Sequence, residues 1–185
     1  MSKAVMLSIR PKWCEKIANG EKTIEVRKTR PKLETPFNCY IYCTKDKHLA
    51  FMQNRFGTKL IACMDAETAI PVGGAVGNGK IIGEFTCDRI YELAPLNHAP
   101  DDVEKQACLT REEIVNYLKG TGYGWHIVNL KIYDTPRELS EFRRACPNSW
   151  YCESCAMYWE NNGTCGNESL QLKRPPQSWC YVEDG

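Results

Sequence analysis

The sequence predicts an α+β fold that is mainly β, a small and mostly antiparallel closed barrel flanked by short helices. Three observations predict it. Five or six short aromatic or β-branched runs are separated by Gly, Pro and Asn punctuation, with few helical periods between them. The chain has 185 residues, 43% of them hydrophobic, which suits one core with an appendage and lies far from disorder. No apolar run approaches the length that spans a bilayer.

The elements follow in order. Met6 to Ile9 reads as a first strand, and Pro11 is placed to open a helix whose Trp13 and Ile17 share a face and whose stop is Gly20. A strand runs from Lys22 to about Lys28, followed by a proline-bounded connection from Thr29 to Pro36. Phe37 to Thr44 is a third strand. Residues 45–79 form an insertion over the barrel that ends in a glycine-rich loop without the strand-turn-helix setting of a dinucleotide site. Lys80 to Ile90 is a long strand. Thr110 and Glu113 spell a capping box for a helix with Ile114, Tyr117 and Leu118 on its apolar face. Gly122 to Tyr133 is another strand, Pro136 opens a short helix from Arg137 to Arg144, and Arg174 to Val182 is a closing strand entered through prolines. The domain expectation is a barrel over 1–145, a cysteine-rich insert over 146–173, and the closing strand and tail over 174–185.

Charge is unevenly distributed. Residues 1–59 hold 13 Lys and Arg against 5 Asp and Glu, whereas residues 60–185 hold 11 against 18. A basic N-terminal part suits a polyanion such as nucleic acid, and the competing reading is mutual neutralisation of the two parts across the fold. The start lacks the long apolar region of a signal peptide, so the expected location is the cytoplasm.

The stretch from Gly20 to Arg27 carries the functional signal. On a strand, Thr23, Glu25 and Arg27 share one face while Ile24 and Val26 point to a core, and Lys22 stands at the mouth. Charge at alternate strand positions is costly to bury unless paired or facing a wet cleft. An acid between two cations suits a base edge and a phosphate. A solvated face with a cross-strand ion pair is the alternative.

A strand ending Leu7-Ser8-Ile9-Arg10-Pro11, a short helix, then Gly20-x-Lys22-x-x-Glu25-x-Arg27, together with the later Ile81-Ile82-Gly83-Glu84-Phe85, resembles the ASCH domain family of the PUA-like superfamily. The resemblance covers roughly Lys3 to Tyr133. It implies a PUA-like barrel with a cleft between the first helix and the barrel, floored by the motif strand. It also implies RNA or modified-nucleotide binding, since related domains bind RNA and some hold single modified bases. One ASCH branch hydrolyses N4-acetylcytidine with the motif lysine, a threonine three residues later and a downstream glutamate. Lys22 matches the lysine, Glu25 stands in the threonine's place, and the glutamate falls near Glu104 or Glu113. A ribonuclease activity is also linked to some ASCH proteins.

With a nucleotide in the cleft, Arg27 would grip phosphate or a carbonyl and Glu25 would accept from an exocyclic amine. Lys22 and Arg10 would supply charge, and Trp13, Trp125 or Trp179 would stack, with Thr23 and Ser178 adding polar contacts. Each tryptophan also has a core reading. In a hydrolase, Glu25 would act as base and Lys22 would hold the oxyanion. A carboxylate gripped by cations is a weak base, which favours binding over catalysis.

Eleven cysteines without an export signal indicate reduced thiols and metal rather than a disulfide framework. Cys39 and Cys87 sit among apolar neighbours as small buried hydrophobes. Cys146, Cys152, Cys155 and Cys165 have spacing that suits a structural tetrahedral zinc in a zinc-knuckle-like extension, with Cys180 the alternative to Cys146. Such a knuckle would also offer a docking surface for a protein partner. The leading expectation is a nucleic-acid-binding domain with structural zinc, followed by a nucleoside amidohydrolase or another RNA-processing hydrolase, and by a protein-interaction adaptor.

Overall fold

The structure is a computed structural model that describes residues 3–54, 57–62, 74–93, 98–146, 155–160 and 165–184. It is α+β and mainly β. The first strand, β1 (Lys3–Ile9), leads through α1 (Pro11–Ala18) and β2 (Ile24–Arg27) to β3 (Phe37–Cys43). Three strands of the insertion follow: β4 (Leu49–Asn54), β5 (Gly57–Ala62) and β6 (Ala75–Val76). Then come β7 (Ile81–Glu92), α2 (Val103–Ala107), α3 (Arg111–Leu118) and β8 (Tyr123–Arg137). A short helix α4 (Ala156–Glu160) precedes the last strand, β9 (Trp179–Glu183).

The main sheet has the order β2-β8-β7-β3-β1-β9, with β1 and β3 parallel and the other neighbours antiparallel. It is a curled half-barrel with β2 and β9 at its edges, in place of the closed barrel the sequence suggests. Register shifts between the long β7 and β8 supply local bending, and Asn129 takes a positive φ of 51° beside one of them. The two faces follow the period of two. Val5, Leu7 and Ile9 join Cys39, Ile41, Phe85 and Trp125 in one cluster, while Ala4 and Met6 join Tyr40, Tyr42 and Val182 in another. Ile24 and Val26 pack in a third cluster, against Val103, Ile114 and Leu118.

The insertion is a separate three-stranded sheet of order β5-β4-β6. Phe51 anchors it in the main core. Its glycine-rich end is tightly packed at Gly77, where a Cβ would lie 2.5 Å from Ile82 and 2.7 Å from Phe51. Pro136 falls inside β8, and the helix expected over Arg137–Arg144 is instead a 3-10 turn, Leu139–Glu141. The reason is exposure of one strand edge. β2 pairs only with Tyr123–His126, so the far half of β8 has a neighbour on one side and tolerates a residue without an N–H. Among the described residues, no helix is long and apolar enough to cross a membrane.

Cys14, Cys39 and Cys87 are buried. Loss of hydration raises all three thiols, Cys87 to about 12 from 9.0. A group raised on folding contributes stability below its unfolded pKa and loses it as pH climbs through the folded value. The urea midpoint should therefore fall as pH rises from about 9 to about 12. A midpoint that holds flat across that window for the Tyr-corrected transition would contradict this burial.

Candidate nucleic-acid cleft

The chain leaves α1 through Gly20, whose φ of +75° needs no Cβ accommodated. Backbone bonds from Lys22 to Lys16 and from Thr23 to Gln106 then aim β2 between the two helical layers. With Ile24 and Val26 held against α2 and α3, period two turns Glu25 and Arg27 to the opposite side. These charges are buried: Lys22 is 2% exposed, and Glu25 and Arg27 are each 6% exposed. The solvated-face reading is therefore excluded.

Their pairing explains how burial is tolerated. One Glu25 oxygen lies 2.9 Å from the Arg27 guanidinium and the other 3.4 Å from Lys22 Nζ. Lys22 also donates to the Ala107 carbonyl at 2.7 Å, and its Nζ lies 5.1 Å from the Trp13 ring centre. Arg27 donates to the Ser8 carbonyl at 2.8 Å, and to the carbonyl and hydroxyl of Ser178, each at 3.2 Å. Ser8 belongs to β1 and Ser178 immediately precedes β9. Arg27 thus ties the two edges of the half-barrel together through a side chain, where a closed barrel would use backbone pairing.

A cleft of about 410 Å³ opens over this cluster. Arg10, Trp13, Lys22, Glu25 and Arg27 line it, as does Gln177. From α3 come Glu113 and Tyr117. The structure thereby brings together the motif residues, the first tryptophan and the capping-box glutamate. Glu113 performs the expected cap, accepting from Thr110 N at 2.8 Å. Tyr117, expected on the apolar face of its helix, is 44% exposed.

Other expected residues lie elsewhere. Thr23 turns its hydroxyl to Gln106, at 3.3 Å. Trp125 is fully buried, edge-on to Phe37 with ring centres 5.8 Å apart, so no face is open to a base. Trp179 is partly buried, packs on Trp125 and Tyr181, and donates its Nε1–H to Thr29 at 2.9 Å. Both Glu25 oxygens and both terminal nitrogens of Arg27 are engaged by protein groups, whereas Arg27 Nε is buried without a partner among the described residues; Lys22, Arg10 and Trp13 also line the hollow. Glu104, the other downstream glutamate, accepts from Arg111 N at 2.8 Å and is absent from the cleft lining.

Of the four cysteines expected to hold zinc, Cys152 lies outside the described residues. Cys146, Cys155 and Cys165 are free thiols, as is Cys180 on β9. Among the described residues, no three His, Cys, Asp or Glu side chains gather as a metal site would require.

The ASCH domain profile matches residues 7–154. No curated protein sequence matches the chain. Among solved structures, the fold is similar to that of ASCH from Zymomonas mobilis, with a TM-score of 0.54 at 14% identity over 97% of this chain and 87% of that one. Two mutant forms of the Zymomonas mobilis protein match alike, with TM-scores of 0.54 and 0.55 at 14% and 13% identity; the first covers 98% of this chain and 91% of that one, the second 97% and 88%. The match spans β1 through β8, including the motif strand that floors the cleft, and on this ground the chain belongs to the ASCH domain family.

Proposed function

We propose that the cleft binds a base and phosphate of RNA or of a modified nucleotide. The observation that carries this reading is the placement of Lys22: buried, held from below by Glu25 and the Ala107 carbonyl, and bordered by the Trp13 ring on an open hollow. A desolvated cation with one free donor beside an aromatic plane suits an anionic or carbonyl oxygen next to a stacked base. Glu25 and Arg27 serve as the rigid support of that cation. Membership of a family associated with RNA strengthens the reading. Calorimetric titration with cytidine, N4-acetylcytidine, uridine, adenosine and guanosine monophosphates tests it. The expected result is binding of at least one, weakened by about 1.5–3 kcal/mol in Lys22→Ala, the range of a hydrogen bond to a charged group. Equal affinity in the variant would rule out the assignment of Lys22.

A hydrolase reading has one observation in its favour, since Lys22 and Glu113 line the same cleft. Against it, Glu25 stands where the related hydrolases carry threonine, and both its oxygens are already engaged by Lys22 and Arg27. Acetate release from N4-acetylcytidine, lost in Lys22→Ala, would reverse the preference for binding.

Structural zinc at Cys146, Cys152, Cys155 and Cys165 is a separate proposal resting on ligand chemistry and spacing. Two thiolates separated by two residues chelate from a tight turn, and the surrounding 146–173 segment is short and rich in Asn and Gly, so a metal would supply its folding energy. Elemental analysis of protein purified without chelator should find one zinc per chain, released in Cys152→Ser and in Cys155→Ser. Protein without zinc would end this proposal. The same segment, with Trp159 66% exposed, is where a protein partner would dock.

A further inference from the structure

We infer that the ligand is an extended single strand of nucleic acid, whose backbone leaves the cleft along residues 28–32 and enters a second hollow there. This rests on the cleft reading and adds the ligand's length. The second hollow, of about 620 Å³, is lined by Arg30, Lys32, Leu33, Glu34 and Ile90 among others. It lies on the direct continuation of the motif strand. Arg27 lines the first hollow, Lys28 stands on its rim with Nζ 5.3 Å from the Tyr117 ring centre, and Arg30 lies over Tyr123 at 5.6 Å. From Arg27 to Lys32 the chain spans at most roughly 17 Å. That reach suits a few consecutive nucleotides, as in single-strand sites of about 4–16.

The charges along this path are exposed. Lys12, Lys28, Arg30 and Lys32 close no salt bridge among the described residues, and Arg10, also exposed, lies in the field of Asp46. Of the acids lining the two hollows, Glu25 is paired with cations and Glu113 caps its helix, which leaves Glu34. Lys12, Lys28 and Arg30 each sit beside an aromatic ring, combining a backbone-tracking cation with a stacking plane. The loop is also anchored. Trp179 donates to Thr29 at 2.9 Å, and Lys32 N donates to the Tyr181 hydroxyl at 2.7 Å. Such anchoring holds the cations at fixed spacing before the strand arrives.

The test uses full-length protein, a labelled eight-nucleotide RNA and a DNA of the same sequence, nucleoside monophosphates, and the variant Arg30→Ala/Lys32→Ala. Wild-type protein should bind the octamer at least tenfold tighter than any monophosphate. The double variant should lose roughly tenfold for the octamer, with the slope of log K against log salt shallower by about 1.4, while monophosphate affinity is unchanged. Binding of either sugar in this pattern supports the inference. Unchanged octamer affinity and salt slope in the double variant would overturn the track, and monophosphate binding that still responds to Lys22→Ala would leave the cleft reading standing. If neither octamer nor monophosphate binds wild-type protein, both readings fall.

Discussion

Arg27→Ala should lower the unfolding free energy by about 3–5 kcal/mol, the usual loss when one member of a buried ion pair is removed. Two effects act together. Glu25, 6% exposed, loses the partner at 2.9 Å and keeps only Lys22 at 3.4 Å. The guanidinium also leaves the gap between β2 and β9, where it bonds Ser8 and Ser178, so the half-barrel loses the tie between its edges. Denaturation in urea, followed by far-UV circular dichroism, measures the loss. The apolar replacement Lys22→Met/Glu25→Leu/Arg27→Met separates structure from function. Removing all three charges removes their desolvation cost together but also the tie to Ser8 and Ser178, so this variant should lose clearly less stability than Arg27→Ala. It should bind no nucleotide. A stable Arg27→Ala protein, within about 1 kcal/mol of wild type, would show that the edges are held by packing alone.

The motif strand shows what a sequence conveys and what it withholds. Alternation placed Glu25 and Arg27 opposite Ile24 and Val26, and the structure has that separation. Periodicity is a local property, so it survives in any tertiary setting. What it could not convey was that Ser8 and Ser178, 170 residues apart, would converge on one guanidinium. Closure of the barrel failed for the same reason. Strand number was legible, but whether the edge strands β2 and β9 meet depends on how far the sheet curls, and here β2 spans only four residues. The capping box of α3 was legible because each of its bonds joins residues three apart. Tyr117 was missed because helical spacing assigns a face without saying whether a neighbouring element covers it. Cys39 and Cys87 are buried as their apolar neighbours suggested. The glycine-rich end of the insertion reads as a loop from composition, and Gly77 is there because Phe51 and Ile82 leave no room for a side chain.

The tryptophans provide the sharpest division between scaffold and site. Trp125→Ala should cost about 3–5 kcal/mol of stability, as removal of a fully buried aromatic does. Its ring meets Phe37 at 5.8 Å and Trp179 at 6.1 Å, and no solvent path reaches it. Trp13 is different in every respect that matters. It is partly exposed on α1, lines the cleft, and has Lys12 Nζ at 4.8 Å and Lys22 Nζ at 5.1 Å from its ring centre. Trp13→Ala should leave the urea midpoint much closer to wild type and weaken binding of the preferred monophosphate by about 1–3 kcal/mol, the range for loss of one stacked base. Trp13→Phe should restore much of that affinity, since a smaller ring still offers a face, whereas Trp13→Leu should not. The Phe and Leu variants matter because Trp13 also packs against the main core, and both keep an apolar side chain there. Equal affinity for Phe and Leu at position 13 would mean that the ring fills space without stacking, and base recognition in this cleft would then fall to the Tyr117 side.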